Sequence, residues 1–212
     1  MKKRYLVFDF DGTIANTVEP AMKLANGILK DMGENTLTDE QMEGLRDKSY
    51  MEIIQSFNVP VWKVPGLLLK LRTTLLENFD MIKPYPHIAQ LLKKLSKEGY
   101  YMYVLTSNDK EFVQKFLEVF EITVFEDIYS EMNIFGKGDA LKKFMDIQNI
   151  DPHDIIYVGD EVRDIEACKK NDATVISVTW GFNTEDKLKE AGPTAIANTP
   201  EELHTTIKKL AE

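Results

Sequence analysis

Cysteine is almost missing from this chain. The 212 residues contain one, Cys168, which excludes an internal disulfide and points to a reducing compartment. Cys168 falls in a helical pattern beside Ile165 and Ala167, where a buried structural thiol is expected. Long apolar runs are missing as well. The run behind the basic start Met1-Lys2-Lys3-Arg4 stops at Asp9, too soon for a signal peptide or a membrane span, so a cytoplasmic protein with no membrane partner is expected. There is no excess of positive charge: 26 basic residues face 35 acidic ones, for a net charge of -9. The basic residues are scattered rather than gathered in a stripe, which argues against nucleic acid as a partner. Repeats and low-complexity segments are absent too. What remains is an ordinary globular composition, 43% apolar and 29% charged, in a chain long enough to bury a substantial core.

The apolar run Tyr5-Leu6-Val7-Phe8 has no polar alternation and reads as a buried parallel strand. From about Asn16 to Ile82 the pattern turns helical. Capping-box spacings occur at Thr38/Gln41 and Ser49/Glu52, breaks at Pro60 and Pro65, and an apolar stripe at Leu67, Leu68, Leu71, Leu75 and Leu76. A small bundle of about four helices is expected there. From Pro84 onward strands and helices alternate. A helix over Ile88–Lys97 ends at Gly99, a strand runs over Tyr100–Leu105, and Asn108 with Glu111 opens a helix carrying Phe112, Val113, Phe116, Leu117 and Phe120. A strand over Val124–Tyr129, a helix over Asp139–Gln148 and a strand over Asp154–Val158 follow. The series closes with a helix over Val162–Asn171, a strand over Thr174–Val178, and a last helix opened by Thr199-Pro200. This alternation predicts an α/β fold: a Rossmann-like parallel sheet with helices on both faces, plus an inserted α-helical unit. The division it suggests is residues 1–15 and 83–212 as the α/β core and 16–82 as the insertion.

In such sheets ligands gather at the carboxyl ends of the strands. The first strand ends in Asp9-Phe10-Asp11-Gly12-Thr13, two carboxylates that an extended chain would point to one side. They repel unless a cation, a proton or a phosphoryl group lies between them. The next strand ends in Thr106-Ser107-Asn108, and another in Gly159-Asp160-Glu161-Val162-Arg163-Asp164. Gly136-Lys137-Gly138 sets a lysine between glycines just before a helix. A parallel sheet would bring these carboxylates, hydroxyl and ammonium groups together as a catalytic site.

Asp-x-Asp-Gly-Thr, a Thr closing the second strand, a downstream Lys and Gly-Asp-x-x-x-Asp together resemble the haloacid dehalogenase-like superfamily. The closest resemblance is to its phosphoglycolate phosphatase-like branch with a helical cap, and it covers the whole chain. It implies that Asp9 attacks phosphorus to give an aspartyl-phosphate, and that Asp11 protonates the departing alcohol and then activates water. It implies Mg²⁺ as cofactor, held by Asp9, the main-chain carbonyl of Asp11 and Asp160, with Asp164 as an outer or water-mediated ligand. Lys137 would neutralise charge, while Thr106 and the amides near Gly12 and Ser107 would cradle the phosphoryl group. Arg46 and Lys48 fall where the family places substrate-facing cap residues. The partner implied is a small phosphorylated metabolite, met by a monomer or homodimer. Dehalogenases and phosphonate hydrolases of the superfamily lack an acid at the position of Asp11, so the resemblance favours phosphate esters.

The chain departs from the family pattern at Asn16, where relatives often carry an acid, and at Pro86-His87, where Pro-Gly is usual. Trp180-Gly181-Phe182 reads as a packing turn beside the site. A sugar phosphomutase of the same superfamily and a non-catalytic phosphate-binding or regulatory protein are the alternative readings. No second phosphate site marks the first, and no catalytic group is lost as the second would require.

Overall fold

A computed structural model describes residues 4–48, 52, 61–131 and 136–212. Six strands form one sheet in the order β5-β4-β1-β6-β7-β8, with every neighbouring pair parallel. They are β1 (Tyr5–Phe8), β4 (Tyr101–Thr106), β5 (Asp127–Ser130), β6 (Ile155–Gly159), β7 (Thr174–Val178) and β8 (Ala195–Ala197). The expected α/β architecture is present, with β1 in the middle of the sheet.

Side chains on successive strand residues point to opposite faces, and both faces are apolar. Leu6, Phe8, Met102, Val104, Ile156 and Val158 belong to one buried cluster, together with α4 (Ile88–Lys97), α5 (Lys110–Val119) and α9 (Pro200–Ala211). Val7, Tyr103, Leu105, Ile155 and Tyr157 belong to the other, with α6 (Lys137–Gln148), α7 (Val162–Lys170) and α8 (Glu185–Ala191). Cys168 is fully buried in the second cluster, where burial drives its thiol pKa well up. This is the inert thiol expected of its helical position.

Element ends shift where a side chain finds a better partner than the pattern suggests. Helix α5 is capped by Asp109, not Asn108: the Asp109 carboxylate accepts from the amides of Glu111 and Phe112 at 3.0 and 3.1 Å. Helix α6 begins two residues earlier than its pattern indicates, at Lys137. Strand β5 starts only at Asp127, because Val124 and Phe125 first pack against the core. Strand β8 and helix α8 carry too few periodic residues to be read from sequence.

Between residues 16 and 83 the chain leaves the sheet. It crosses out at β2 (Ala15–Asn16) and returns at β3 (Lys83–Pro84), which pair antiparallel with Asn16 opposite Lys83. The described helices between them are α1 (Val18–Asp31), α2 (Asp39–Glu43) and α3 (Val64–Glu77). Helices α1 and α3 pack together, tied at the rim by Lys70–Asp31 and Lys63–Glu34 ion pairs. The Thr38/Gln41 capping box is complete in both directions. Ser49 of the Ser49/Glu52 box and the break at Pro60 lie outside the described residues.

His87 adopts φ 66° as the residue before α4. A side chain at a left-handed position is strained, and His87 is exposed, so nothing in the core repays it. His87→Gly is therefore expected to raise the urea midpoint, by up to about 1 kcal/mol of stability after the added freedom of the unfolded chain is subtracted. A lowered midpoint would show that the imidazole is held by a compensating contact.

Candidate active site

The three strands at the centre of the sheet end side by side. Phe8 is level with Val104 of β4 and Val158 of β6, and the Asp9 amide extends the ladder by donating to the Val158 carbonyl at 2.8 Å. Asp9 is 1% exposed. Its Oδ1 accepts from the Phe10 amide at 2.8 Å, and its Oδ2 accepts from Lys137 Nζ at 2.5 Å. Lys137 also pairs with Asp164. Starting α6 at Lys137 is what aims this ammonium group back beneath the end of β1.

Asp160 is fully buried and held from two sides. Thr13 Oγ1 donates to its Oδ1 at 2.7 Å, and the Phe182 amide donates to its Oδ2 at 2.7 Å. One oxygen from each of Asp9, Asp160 and Asp164 lies within 4.8 Å of the others. Two of these three buried carboxylates, Asp9 and Asp164, share the Lys137 ammonium and Asp160 is held by neutral donors, which leaves negative charge uncompensated, and a donor set made only of hard oxygens suits a divalent cation. The electrostatics agree. Burial raises the Asp9 carboxyl to about 7, with Lys137 pulling it down and Asp164 pushing it up. Burial, then Glu161, Asp9 and Asp164, drive Asp160 well above the carboxylate range. Burial alone would lower Lys137, but Asp164 and Asp9 together outweigh it and the ammonium is held charged.

Gly12 has a steric part here. Its φ is +76°, and a Cβ added there would stand 2.0 Å from Asp160 Oδ2. Its amide, expected among the phosphoryl donors, instead donates to the Ala15 carbonyl at 2.9 Å and closes the turn.

Asp11 is half-buried and separate from this cluster. Hydrogen bonds from Thr17 and Asn108 reach its carboxylate; burial raises its pKa and these two bonds pull it back. Thr17 is the residue before α1 but makes no side-chain capping bond, because its hydroxyl serves Asp11. Thr106 is 2% exposed, and its Oγ1 accepts the Asn108 amide at 2.9 Å, which leaves the hydroxyl proton to donate elsewhere. Ser107 Oγ accepts from Arg163 Nη1 at 3.3 Å, and Arg163 pairs with Glu161 at 2.7 Å.

Arg46 approaches the same end of the sheet, but its guanidinium donates to main-chain carbonyls. Nε reaches the Phe182 carbonyl at 2.9 Å and Nη2 the Gly181 carbonyl at 3.1 Å, with Glu43 paired to Nη1. Lys48 presents its own carbonyl to Asn183 Nδ2 at 3.1 Å. The turn Trp180-Gly181-Phe182 therefore does more than fill space: it holds Asp160 on one side and Arg46 on the other. The residue pattern gives no special weight to Asn108, Thr17, Arg163 or Asn183, since each reads as a cap, a turn or a solvated charge until the chain is folded.

Residues 6–178 match the model of a family described as haloacid dehalogenase-like hydrolase. The chain is 27% identical over 206 residues to a phosphoglycolate phosphatase of Synechococcus elongatus, with 97% of each protein covered. It is 23% identical over 195 residues to pyrophosphatase PpaX of Listeria innocua, covering 89% of this chain and 88% of that one. Among solved structures, "a predicted phosphatase" from Clostridium acetobutylicum superposes with a TM-score of 0.85 at 25% identity, over 99% of this chain and 100% of that one. On this match, the chain belongs to the haloacid dehalogenase-like hydrolases.

Proposed function

We propose that this protein is a phosphatase acting on a small phosphorylated metabolite of the size and charge of phosphoglycolate, through an aspartyl-phosphate on Asp9. The observation that supports this most is the division of the two acids. Asp9 is buried against Lys137 in the carboxylate cluster, while Asp11, two residues on, is held apart by neutral donors. That division suits a nucleophile and a proton donor.

An Asp9 oxygen attacks phosphorus as the ester P–O bond breaks, and the bond's electron pair leaves on the alcohol oxygen, which takes the proton of Asp11. Water then attacks the phosphorus of the aspartyl-phosphate and gives a proton to Asp11. The Asp9 carboxylate leaves with the electrons of its bond to phosphorus, and inorganic phosphate is released. Thr106 and Lys137 donate to the phosphoryl oxygens throughout. Asp9, Asp160, Asp164 and the main-chain carbonyl of Asp11 would hold Mg²⁺, which neutralises carboxylate and phosphoryl charge when bound.

In this reading residues 1–15 and 83–212 form the catalytic core and 16–82 the cap that selects the substrate. A substrate anion reaching Arg46 has to compete with the carbonyls of Gly181 and Phe182. The similarity to a phosphoglycolate phosphatase supports the substrate class, and the similarity to a pyrophosphatase makes pyrophosphate the comparison to run. The test is phosphate release, compared as kcat/KM across phosphoglycolate, pyrophosphate, sugar phosphates and nucleotides, with Mg²⁺ and after chelation. Expected are a preference of about tenfold or more for one compact substrate and loss of release on chelation, restored by Mg²⁺. No release from any ester in Mg²⁺ would overturn the reading, and isomerisation of a hexose phosphate without phosphate loss would assign a phosphomutase.

A further inference from the structure

Asn108 is not among the residues to which the proposed chemistry gives a task, yet its side chain faces the carboxylate on which proton transfer depends. Its Nδ2 donates to Asp11 Oδ1 at 3.1 Å and to Oδ2 at 3.2 Å, across 97 positions of sequence. Its Oδ1 accepts from the Asp109 amide at 2.7 Å, and this settles which end of the carboxamide points at Asp11. The main chain of Asn108 is pinned as well: its amide donates to Thr106 Oγ1 at 2.9 Å and its carbonyl accepts from Ser130 Oγ at 2.6 Å. The donor is thus anchored to the ends of β4 and β5. A residue that served only the turn into α5 would need the bond to Asp109 and nothing more. The two contacts to Asp11 do nothing for that turn.

We propose that Asn108 is a positioning residue, whose carboxamide holds the Asp11 carboxyl group in place for proton transfer to the departing alcohol. This rests on the reading of Asp11 as the acid and base. Asn108 does not contact the reacting phosphorus in this role; it fixes the group that delivers the proton. A displaced Asp11 would slow only the steps that move a proton through it, departure of an alkoxide and attack of water on the aspartyl-phosphate, and would spare transfer from an ester whose leaving group needs no proton.

That separation gives a readout that a merely structural residue would not move. A nitrophenolate leaves as a stable anion and needs no proton, whereas an alkoxide does not leave without one. The kcat/KM value covers the steps through departure of the leaving group, so slower hydrolysis of the aspartyl-phosphate does not enter it. Asn108→Ala and Asp11→Asn are to be compared with the parent on glycerol 2-phosphate and on 4-nitrophenyl phosphate, with Mg²⁺ present. For Asn108→Ala the expected fall is about 10- to 100-fold on the glycerol ester and no more than about threefold on the nitrophenyl ester. Because both substrates are assayed on one sample, the ratio does not depend on how much of the variant is folded. Asp11→Asn is expected to show the same split, larger. If Asp11→Asn splits the substrates and Asn108→Ala does not, whether it slows both alike or neither, the positioning role is overturned. If Asp11→Asn itself shows no split, the assignment of Asp11 as the acid fails instead.

Discussion

Asp9→Asn is expected to abolish phosphate release, with a fall on the order of 10⁴-fold or more and no phosphorylated protein in acid-quenched samples. The substitution is nearly isosteric. The amide oxygen can still accept from the Phe10 amide, as Asp9 Oδ1 does at 2.8 Å, so the turn into Gly12 has no reason to move. What disappears is the anionic oxygen that attacks phosphorus, and a carboxamide is no substitute for it. The electrostatic consequence runs the other way. Asp9 lies among buried carboxylates, and Asp164 adds to the burial that lifts its pKa. Removing one of the like charges relieves repulsion but also takes one of two partners from Lys137, which keeps its pair with Asp164, so the metal-free variant should stay folded and melt near the parent temperature. An inactive protein that still melts cooperatively near the parent separates loss of the nucleophile from loss of the fold. The measurements are phosphate release, the mass of the quenched chain and the melting temperature. Full release from a variant that melts like the parent would remove Asp9 from its place in the mechanism.

Lys137→Met is the second large effect, and here activity and stability both suffer. The ammonium is 7% exposed, reaches Asp9 at 2.5 Å and also pairs with Asp164. Methionine roughly preserves the length of the side chain but leaves the carboxylate cluster without its cation. Breaking a buried ion pair from one side costs about 3–5 kcal/mol, most of it the penalty of stranding a charge. The carboxylates will meet that penalty in part by binding protons. The parent Asp9 is already lifted by burial to about 7, and Lys137 is the strongest influence holding it down. Without Lys137 more of Asp9 is protonated at neutral pH in the metal-free protein, and in the loaded enzyme the phosphoryl oxygens lose a cationic donor. A fall in kcat/KM of about 10²- to 10⁴-fold is expected.

The sign of the pH dependence follows from the same shift. A carboxyl group whose pKa is higher in the folded than in the unfolded chain binds more protons when folded, so its contribution to stability is complete below the unfolded value. That contribution is lost as pH rises through the folded value. For Asp9 the window runs from the ordinary 3.8 up to about 7 in the parent, and extends higher in the variant. The metal-free Lys137→Met protein should therefore fall further behind the parent in melting temperature at pH 8 than at pH 5.5. A gap that narrows with rising pH would show that Lys137 does not serve as counter-ion to this cluster.

The sheet and the ends of its strands were legible because their signals are local. A buried parallel strand has to be continuously apolar, so Tyr5–Phe8 and Ile155–Val158 announce themselves, and the polar residues that interrupt them mark the ends. Asp9, Thr106 and Asp160 could be grouped from sequence because parallel strands place all their carboxyl ends on one edge. Lys137 was harder. It is distant in sequence and read as a loop residue, and only the early start of α6 turns it inward. In sequence Asn108 reads as a helix cap, since asparagine before a helix is ordinary, but its neighbour Asp109 takes those amides and leaves the Asn108 side chain to Asp11.

From its own residues the chain thus specified a doubly covered parallel sheet and an acidic pair that must find a counter-charge. Apolar periodicity and adjacent like charges are properties of neighbouring residues, and they act before any long-range contact forms. Only the tertiary structure decided which groups answer that pair and the acid beside it: Lys137 for Asp9, Thr17 and Asn108 for Asp11, and Thr13 and the Phe182 amide for Asp160. It also decided that Arg46 faces the carbonyls of residues 181 and 182. Those partners lie up to 147 positions apart, and a hydrogen bond of under 3 Å between such residues exists only once packing has brought both backbones to it.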